Sequence, residues 1–386
     1  MVSPSILAQD HSQNCQQGFK MGLLLDLSGA QQTLGQAALN GFMLAISQIP
    51  EKDSTKIFFS LNNTKTNSKA AQKIAESLAP EVSLATGFTD NNAVLASAKY
   101  FEKHNVPFIS IGASSPSLPK DFNNDVFLIP FGDNAQAAAA ADFARKNFGK
   151  KAVVIWDKTS DYTTILPKYF ETAFTKEGGQ ILSFLSFGHT CDIGYLAKKI
   201  KNLSPKPSFV YLAGLPRCIG EQIHSLRKNG MALPIIGGDG LDTPNLTQPF
   251  SLTDVWMTTH AYLASDNPNP ETKKFLALYK KAYGQQPQDA FAALGFDAAN
   301  LIIKAVNQTC AQDKSSLSEE FESIKNYAGV CGKYLYSANN HVPQKTVWII
   351  KIKNGKRILA DQITPKNVPA PIADKKIPMD SVKRDI

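Results

Sequence analysis

The sequence predicts an α/β fold of two Rossmann-like lobes, each built on a parallel sheet, joined by a multi-strand hinge. Three observations carry this. Short buried apolar runs alternate with helical segments of ten or more residues, the mark of βαβ units. The alternation stops at Phe131-Gly132-Asp133 and then restarts. The chain is 386 residues long, enough for two cores, and 43% hydrophobic against 19% charged is an ordinary globular balance.

In the first half the apolar run Lys20 to Leu25 reads as a strand. A loop, Asp26 to Gly35, and a helix from Ala37 to Ile49 follow. Strand Lys56 to Leu61, helix Asn67 to Leu78, strand Val82 to Ala85, helix Asn92 to His104 and strand Pro107 to Ile111 continue the pattern. In the second half, helices starting near Ala135, Thr164, Ile193 and Cys218 alternate with strands at Ala152, Gln180, Ser208 and Pro234. A strand at Val255 to His260 crosses back, followed by helices at Pro270 to Tyr283, Ala290 to Gln308 and Leu317 to Asn326. Asn354-Gly355 turns a last hairpin, Thr346 to Lys353 with Lys356 to Ile363, because both residues accept positive φ. The late helices are too few for a third lobe. They pack back on the first, so the chain crosses between lobes near 132, 261 and 334. The expected lobes are 18–132 with 262–333, and 133–261 with 334–363. The Pro- and Lys-rich stretch 364–386 reads as a disordered tail.

Composition narrows the function. Lys and Arg exceed Asp and Glu by eight, but no basic stripe interleaved with aromatics suggests nucleic acid. No apolar run reaches the roughly 18 residues of a membrane span. The start of the chain, Met1 to Gln17, is polar and lacks a hydrophobic signal core, as when a signal peptide is replaced by an initiating Met. The five cysteines form no CxxC pair and no zinc-spaced cluster,. Two disulfides are topologically open, Cys191–Cys218 and Cys310–Cys331, with Cys15 left over. Disulfides favour an oxidising compartment; five buried thiols in a cytosolic protein is the plainer alternative. GxGxxG, GxxxxGK[ST], GxSxG and HExxH are all missing, and the six histidines are dispersed, so no catalytic residues, metal ligands or cofactor site can be argued.

Two stretches are more specific. One runs from Gly87-Phe-Thr-Asp-Asn-Asn-Ala93 to Val106-Pro-Phe-Ile-Ser-Ile-Gly-Ala-Ser-Ser-Pro116. The other runs from Tyr211-Leu-Ala-Gly-Leu215 to Ile236-Gly-Gly-Asp-Gly240. With Leu27-Ser-Gly29 and Leu34-Gly-Gln-Ala-Ala-Leu-Asn-Gly41, they resemble the periplasmic substrate-binding proteins of branched-chain amino acid ABC transporters, which have the type I periplasmic binding fold. The resemblance spans about Lys20 to Ile363. It implies a Venus-flytrap binder, not an enzyme, that captures an amino-acid-like solute (an amino acid or related carboxylate or amide) for a membrane permease outside the cytoplasm. It further implies that Gly112, Ala113 and Ser114 hold a ligand carboxylate, with Asn91 contributing where the family has Ser or Thr. Tyr162 would cap the ligand, and Asp239, shorter than the family's usual Glu, would pair with its ammonium. Leu215 replaces a family aromatic, Leu34 faces the ligand side chain, and Arg217 stands near a second anionic group. The rival expectations are a ligand-sensing module of the same fold, an α/β enzyme with an interlobe site, and an envelope protein with a degenerate pocket.

Overall fold

The computed structural model describes residues 18–50, 56–123, 125–246, 250, 252–309 and 314–372. Within these, the first lobe is a parallel sheet of β1 (Phe19–Leu25), β2 (Ile57–Asn63), β3 (Leu84–Gly87), β4 (Phe108–Ser110) and β5 (Val126–Leu128), in the order β2-β1-β3-β4-β5. Its helices are α1 (Gln32–Ile46), α2 (Ser68–Leu78), α3 (Asn91–Lys103) and the short α4 (Leu118–Asp121). The second lobe holds α5 (Asp133–Asn147), β6 (Lys151–Asp157), α6 (Asp161–Lys176), β7 (Gln180–Phe187), α7 (Tyr195–Lys201), β8 (Phe209–Ala213), α8 (Ile219–Lys228), β9 (Ile235–Gly237) and β10 (Thr253–Thr259). The chain returns to the first lobe for α9 (Pro270–Tyr283), α10 (Phe291–Thr309), α11 (Lys314–Ser323) and the ribbon β11 (Lys325–Gly329) with β12 (Gly332–Leu335). It ends in the second lobe with β13 (Val347–Lys353) and β14 (Lys356–Ile363).

The second sheet runs β14-β13-β10-β9-β8-β6-β7. Five of its strands are parallel, while β13 and β14 are antiparallel. It is therefore mixed, because the Asn354-Gly355 hairpin, with φ of 52° and 72°, adds its strands at the edge without a crossover helix. The inner strands are buried on both faces and accordingly read as unbroken apolar runs, such as Leu23-Leu24-Leu25 at 0% exposure,, whereas the edge strands β2 and β7 are only partly covered.

Helix starts follow local chemistry. Asn67 accepts from Ala70 N and Asp90 from Asn92 N and Ala93 N, which caps α2 and α3,. Helix α9 has Asn269 as its cap, Pro270 in its first turn and Gly284 at φ 72° after its last,. Helix α1 begins at Gln32, several residues before the sequence expectation, so Leu34 lies in its first turn and not in a loop. The long helices α1 and α10 pack through small residues. A Cβ on Gly41 would lie 1.7 Å from Ala292 O, and one on Gly295 would lie 2.0 Å from Ala38 O.

Three crossings join the lobes. The first follows β5 and the second follows β10. The third comes after Tyr336, which still belongs to the first-lobe core. Tyr336 Oη donates to Leu128 O at 2.6 Å, and Lys345 Nζ donates to Ile129 O at 2.6 Å, so the third crossing is pinned to the first. The tail expected to be disordered from 364 is laid down as far as 372. Asn134 Nδ2 donates to Pro369 O, Ile372 N donates to Tyr169 Oη, and Ile372 packs against the second-lobe core. That one apolar side chain and its backbone N–H find partners that composition does not show. Residues 373–386 lie outside the described residues.

Cys191 and Cys218 form a disulfide. The other open pairing is corrected. Cys331 is a free thiol, 1% exposed, turned inward beside Asp297, whose carboxylate accepts from Cys331 N at 2.8 Å. Cys310 and Cys15 lie outside the described residues.

Two outcomes test this packing. Cys191→Ala/Cys218→Ala loses the closure of a loop with sequence separation 27, and denaturant unfolding is expected to show a loss of about 3 kcal/mol. Gly295→Val forces α1 from α10, and the same measurement is expected to show a loss of about 1–3 kcal/mol.

Candidate functional site

Both sheets change strand order about their first strand, β1 with neighbours β2 and β3, and β6 with neighbours β7 and β8. In open α/β sheets, ligands bind outside the carboxyl ends of strands at such a switch point. Here the two switch points face each other. The loops and helix starts after β1, β3 and β4 bring Gln31, Leu34, Thr89, Asn91, Gly112 and Ser114; those after β6, β8 and β9 bring Ser160, Tyr162, Leu215 and Asp239. They enclose an inner cavity of about 30 Å³. Phe291, at the start of α10, closes one side, and a Cβ on Gly112 would lie 2.8 Å from its ring.

On the first-lobe side, Asp26 at the end of β1 ties three loops together. It accepts from Thr64 Oγ1 at 2.5 Å, Thr66 N at 2.9 Å and Thr89 Oγ1 at 2.6 Å. Asn91 turns its amide oxygen toward the backbone after β4. Its Oδ1 accepts from Ser114 N at 3.0 Å and Ser115 N at 3.2 Å. These are the backbone donors that the resemblance assigned to a ligand carboxylate, and a side-chain oxygen of the chain takes them. Ser114 Oγ donates to Asp133 Oδ1 at 2.8 Å. Ala113, 1% exposed, packs into the core beside Phe88 and Leu118 and does not line the cavity.

On the second-lobe side, Asp239 is 3% exposed. Its Oδ1 accepts from Tyr162 Oη at 2.6 Å and from Gln136 Nε2 at 2.8 Å; His260 Nε2 lies 2.8 Å from Oδ2. Burial pushes the carboxyl upward, but the His260 contact together with the Tyr162 and Gln136 bonds outweighs it and holds Asp239 below the usual range,. Burial also lowers His260. Its Nδ1 is buried without a partner among the described residues. Its ring lies against Phe131, with centroids 3.8 Å apart and planes tilted by 35°.

Gln136 makes all four carboxamide bonds. Besides Asp239 Oδ1, Nε2 donates to Asp133 Oδ1, and Oε1 accepts from Asp239 N and Thr258 Oγ1,. A Cβ on Gly238 would lie 2.5 Å from Tyr162 Oη, and one on Gly240 would lie 2.4 Å from Gly214 O, so the Gly-Asp-Gly turn is glycine for lack of space. The bonds form one chain across the first crossing, from Asn91 through Ser114, Asp133, Gln136 and Asp239 to Tyr162 and His260.

Seven of the eight expected site residues therefore line one cavity. Leu34 and Leu215 form apolar wall, and Arg217 stands exposed farther out. Sequence reasoning missed Gln136, His260, Asp133 and Phe291. A signal existed for two of them, since Asp133 and His260 both sit where the chain was expected to cross between lobes.

A second acid pair lies behind the cavity. Asp242 accepts from Ala290 N of the first lobe at 3.1 Å and pairs with Arg357. Asp289, 2% exposed, caps Phe291 N at 2.9 Å. Burial, and then the charge of Asp242, raise Asp289 from 3.8 to about 8. The folded chain thus keeps a proton that the unfolded chain gives up near pH 4. The contribution of this group is full below that and is lost as pH rises toward 8. Asp289→Asn keeps the cap and does not ionise. Thermal unfolding is expected to show wild type losing stability relative to this variant between pH 4 and pH 8, and equal slopes would contradict the assignment.

Among the described residues no helix is long and apolar enough to cross a membrane. Three kinds of likeness bear on the site. A Leu/Ile/Val-binding protein of Rhizobium johnstonii, BraC3, is 24% identical over 354 residues, covering 88% of this chain and 93% of its own. The isoleucine complex of LivJ from Streptococcus pneumoniae has the same fold, with TM-score 0.83 at 23% identity over 90% of this chain and all of that one. A Rhodopseudomonas palustris (R. palustris) solute-binding protein in complex with benzoate superposes with TM-score 0.81 at 21% identity, over 92% and 99% of the two chains. The family model described as periplasmic binding protein matches residues 18–357, which take in all three crossings and every cavity-lining residue named above, and the chain belongs to that family, one of extracytoplasmic solute-binding proteins of ABC transporters and not of enzymes.

Proposed function

We propose that this chain captures a small solute between its lobes and presents it, in the closed form, to an ABC permease. The observation that carries the reading is that the cavity is walled by the switch-point loops of both sheets at once. A solute there touches both lobes, so it binds the closed form better than the open one, and only such a difference can drive closure. Tyr162 and Asp239 form the second-lobe wall, and Leu34, Leu215 and Phe291 supply the apolar part. Asp239 Oδ2, with His260 as its one side-chain partner, has room to accept from a ligand ammonium. The solutes named for relatives and neighbours, branched-chain amino acids and benzoate, set the size class: an amino acid, or a related carboxylate or amide. Export under a signal peptide is part of this reading, and the Cys191–Cys218 bridge supports it, since such bonds persist in oxidising compartments,.

Thermal unfolding against a panel of amino acids, amides and small carboxylic acids tests it. A ligand at 100 times its Kd adds about 2.7 kcal/mol, or several degrees. Leu215→Trp adds bulk to the wall of this cavity and is expected to abolish the shift, with its ligand-free midpoint recorded alongside; Asp239→Ala is expected to abolish it as well. A panel without any shift, or a shift that survives Leu215→Trp, would remove the cleft as the site.

A further inference from the structure

A cavity of about 1120 Å³ lies on the hinge side of the molecule. The three crossings frame it, the first through Gly132 and Asn134, the second through Asn267 and Asn269, the third through Gln344 and Thr346. It shares no lining residue with the inner cavity of the cleft, nor with the outer cavity of about 330 Å³ into which the cleft opens beyond Gln31 and Leu215. Small-molecule sites usually hold about 300–1,000 Å³, so a solute of amino-acid size would leave most of this space unfilled.

Its walls carry charge of one sign. Lys120, Lys333, Lys345 and Lys366 line it, and among the described residues no Asp or Glu does. Lys345 is committed, since its Nζ donates to Ile129 O and Tyr334 Oη. Lys120, Lys333 and Lys366 are exposed, and none makes an ion pair or side-chain hydrogen bond with the described residues. They come from three elements: α4, β12 and the segment after β14. Like charges around one space repel, and anionic groups placed among them remove that cost. The neutral walls choose among polyanions. Asn339, Gln344 and Gln362 are exposed there, and each amide offers an acceptor as well as donors. Acceptors serve ligand hydroxyls, which an inorganic polyphosphate lacks when ionised. Trp348, the one aromatic side chain in this lining among the described residues, is 7% exposed and lies against Tyr262, so no open ring is presented for a nucleic-acid base to stack on.

We propose that this hinge-side cavity binds an acidic oligosaccharide, with its anionic groups on Lys120, Lys333 and Lys366 and its hydroxyls on the amides of Asn339, Gln344 and Gln362. The site is separate from the solute cleft and does not depend on what that cleft holds. It draws on both sides of the crossings, with Lys120 and Lys333 in the first lobe and Gln362 and Lys366 on the second.

Isothermal titration of the full chain with tetragalacturonate tests the proposal, at about 150 mM salt, where attraction between exposed charges is screened beyond about 8 Å. Maltotetraose supplies hydroxyls without charge, and tripolyphosphate supplies charge without hydroxyls. Tetragalacturonate is expected to bind, maltotetraose not to bind, and tripolyphosphate to bind at least tenfold more weakly. Lys333→Glu/Lys366→Glu is expected to weaken tetragalacturonate at least tenfold. Lys73→Glu/Lys199→Glu makes the same charge change at exposed positions outside the cavity and is expected to leave the affinity unchanged, as is Leu215→Trp in the interlobe cleft. No binding of tetragalacturonate, an equal loss in the control pair, or maltotetraose or tripolyphosphate binding as tightly would overturn the proposal. So would a loss in Leu215→Trp, which would put the oligosaccharide in the cleft instead. Solute capture is decided separately, by the thermal panel.

Discussion

The buried carboxylate of Asp239 is the constraint on which the cleft is built. A desolvated charge is tolerated only with donors around it, and the donors come from three separate places. Gln136 lies on the helix that opens the second lobe, Tyr162 on the helix after β6, and His260 on the return crossing. Satisfying one charge therefore fixes the relative positions of two helices and a hinge strand. The same bonds hold the Tyr162 ring against the Gly238-Asp239-Gly240 turn, which leaves no room for a side chain on either flank. The network then passes through Asp133 to Ser114 in the first lobe, so the hinge and the ligand-facing walls are one hydrogen-bonded body.

The first lobe is organised by a second carboxylate, Asp26, which gathers Thr64, Thr66 and Thr89 from two other loops. Two acids, one per lobe, thus set the two walls of the cleft. Between them the inner space is small and largely furnished with bonds internal to the chain, while the outer space is larger. Specificity in such a cleft depends on which protein groups still lack a partner, since leaving a buried polar atom unpaired costs more than the net gain of an ordinary hydrogen bond.

Much of the architecture was legible in the sequence because strand and helix periods are local properties. The alternation, its restart after Phe131 and the Asn354-Gly355 hairpin needed only neighbouring residues to be read. Elements with weak local signals were not legible. The strand β5 and the ribbon strand β11 were not among the expected elements, and the placement of Ile372 depends on a surface made by distant helices. The site was legible to the extent that its residues sit at strand ends. Asn91, Gly112, Ser114, Tyr162, Leu215 and Asp239 all do, and the cavity collects them. Leu34, in the first turn of α1, is gathered with them.

What each of those residues does in the wall was decided by tertiary structure. Asn91 reads as one more ligand donor until the fold places its oxygen on Ser114 N and Ser115 N. Asp239 reads as a free acid until Gln136, 103 positions away, and His260 reach it. Cys331 reads as half of a disulfide until its backbone is tied to Asp297. The sequence by itself determined the two-lobed α/β fold, because alternating strand and helix follow from periodicity, while the loops expected to meet came from the resemblance to periplasmic substrate-binding proteins. The hydrogen-bond partners of the buried polar groups came only from the folded chain. A donor and an acceptor must meet within about 3 Å, and no local pattern in the sequence encodes that distance across a hundred residues.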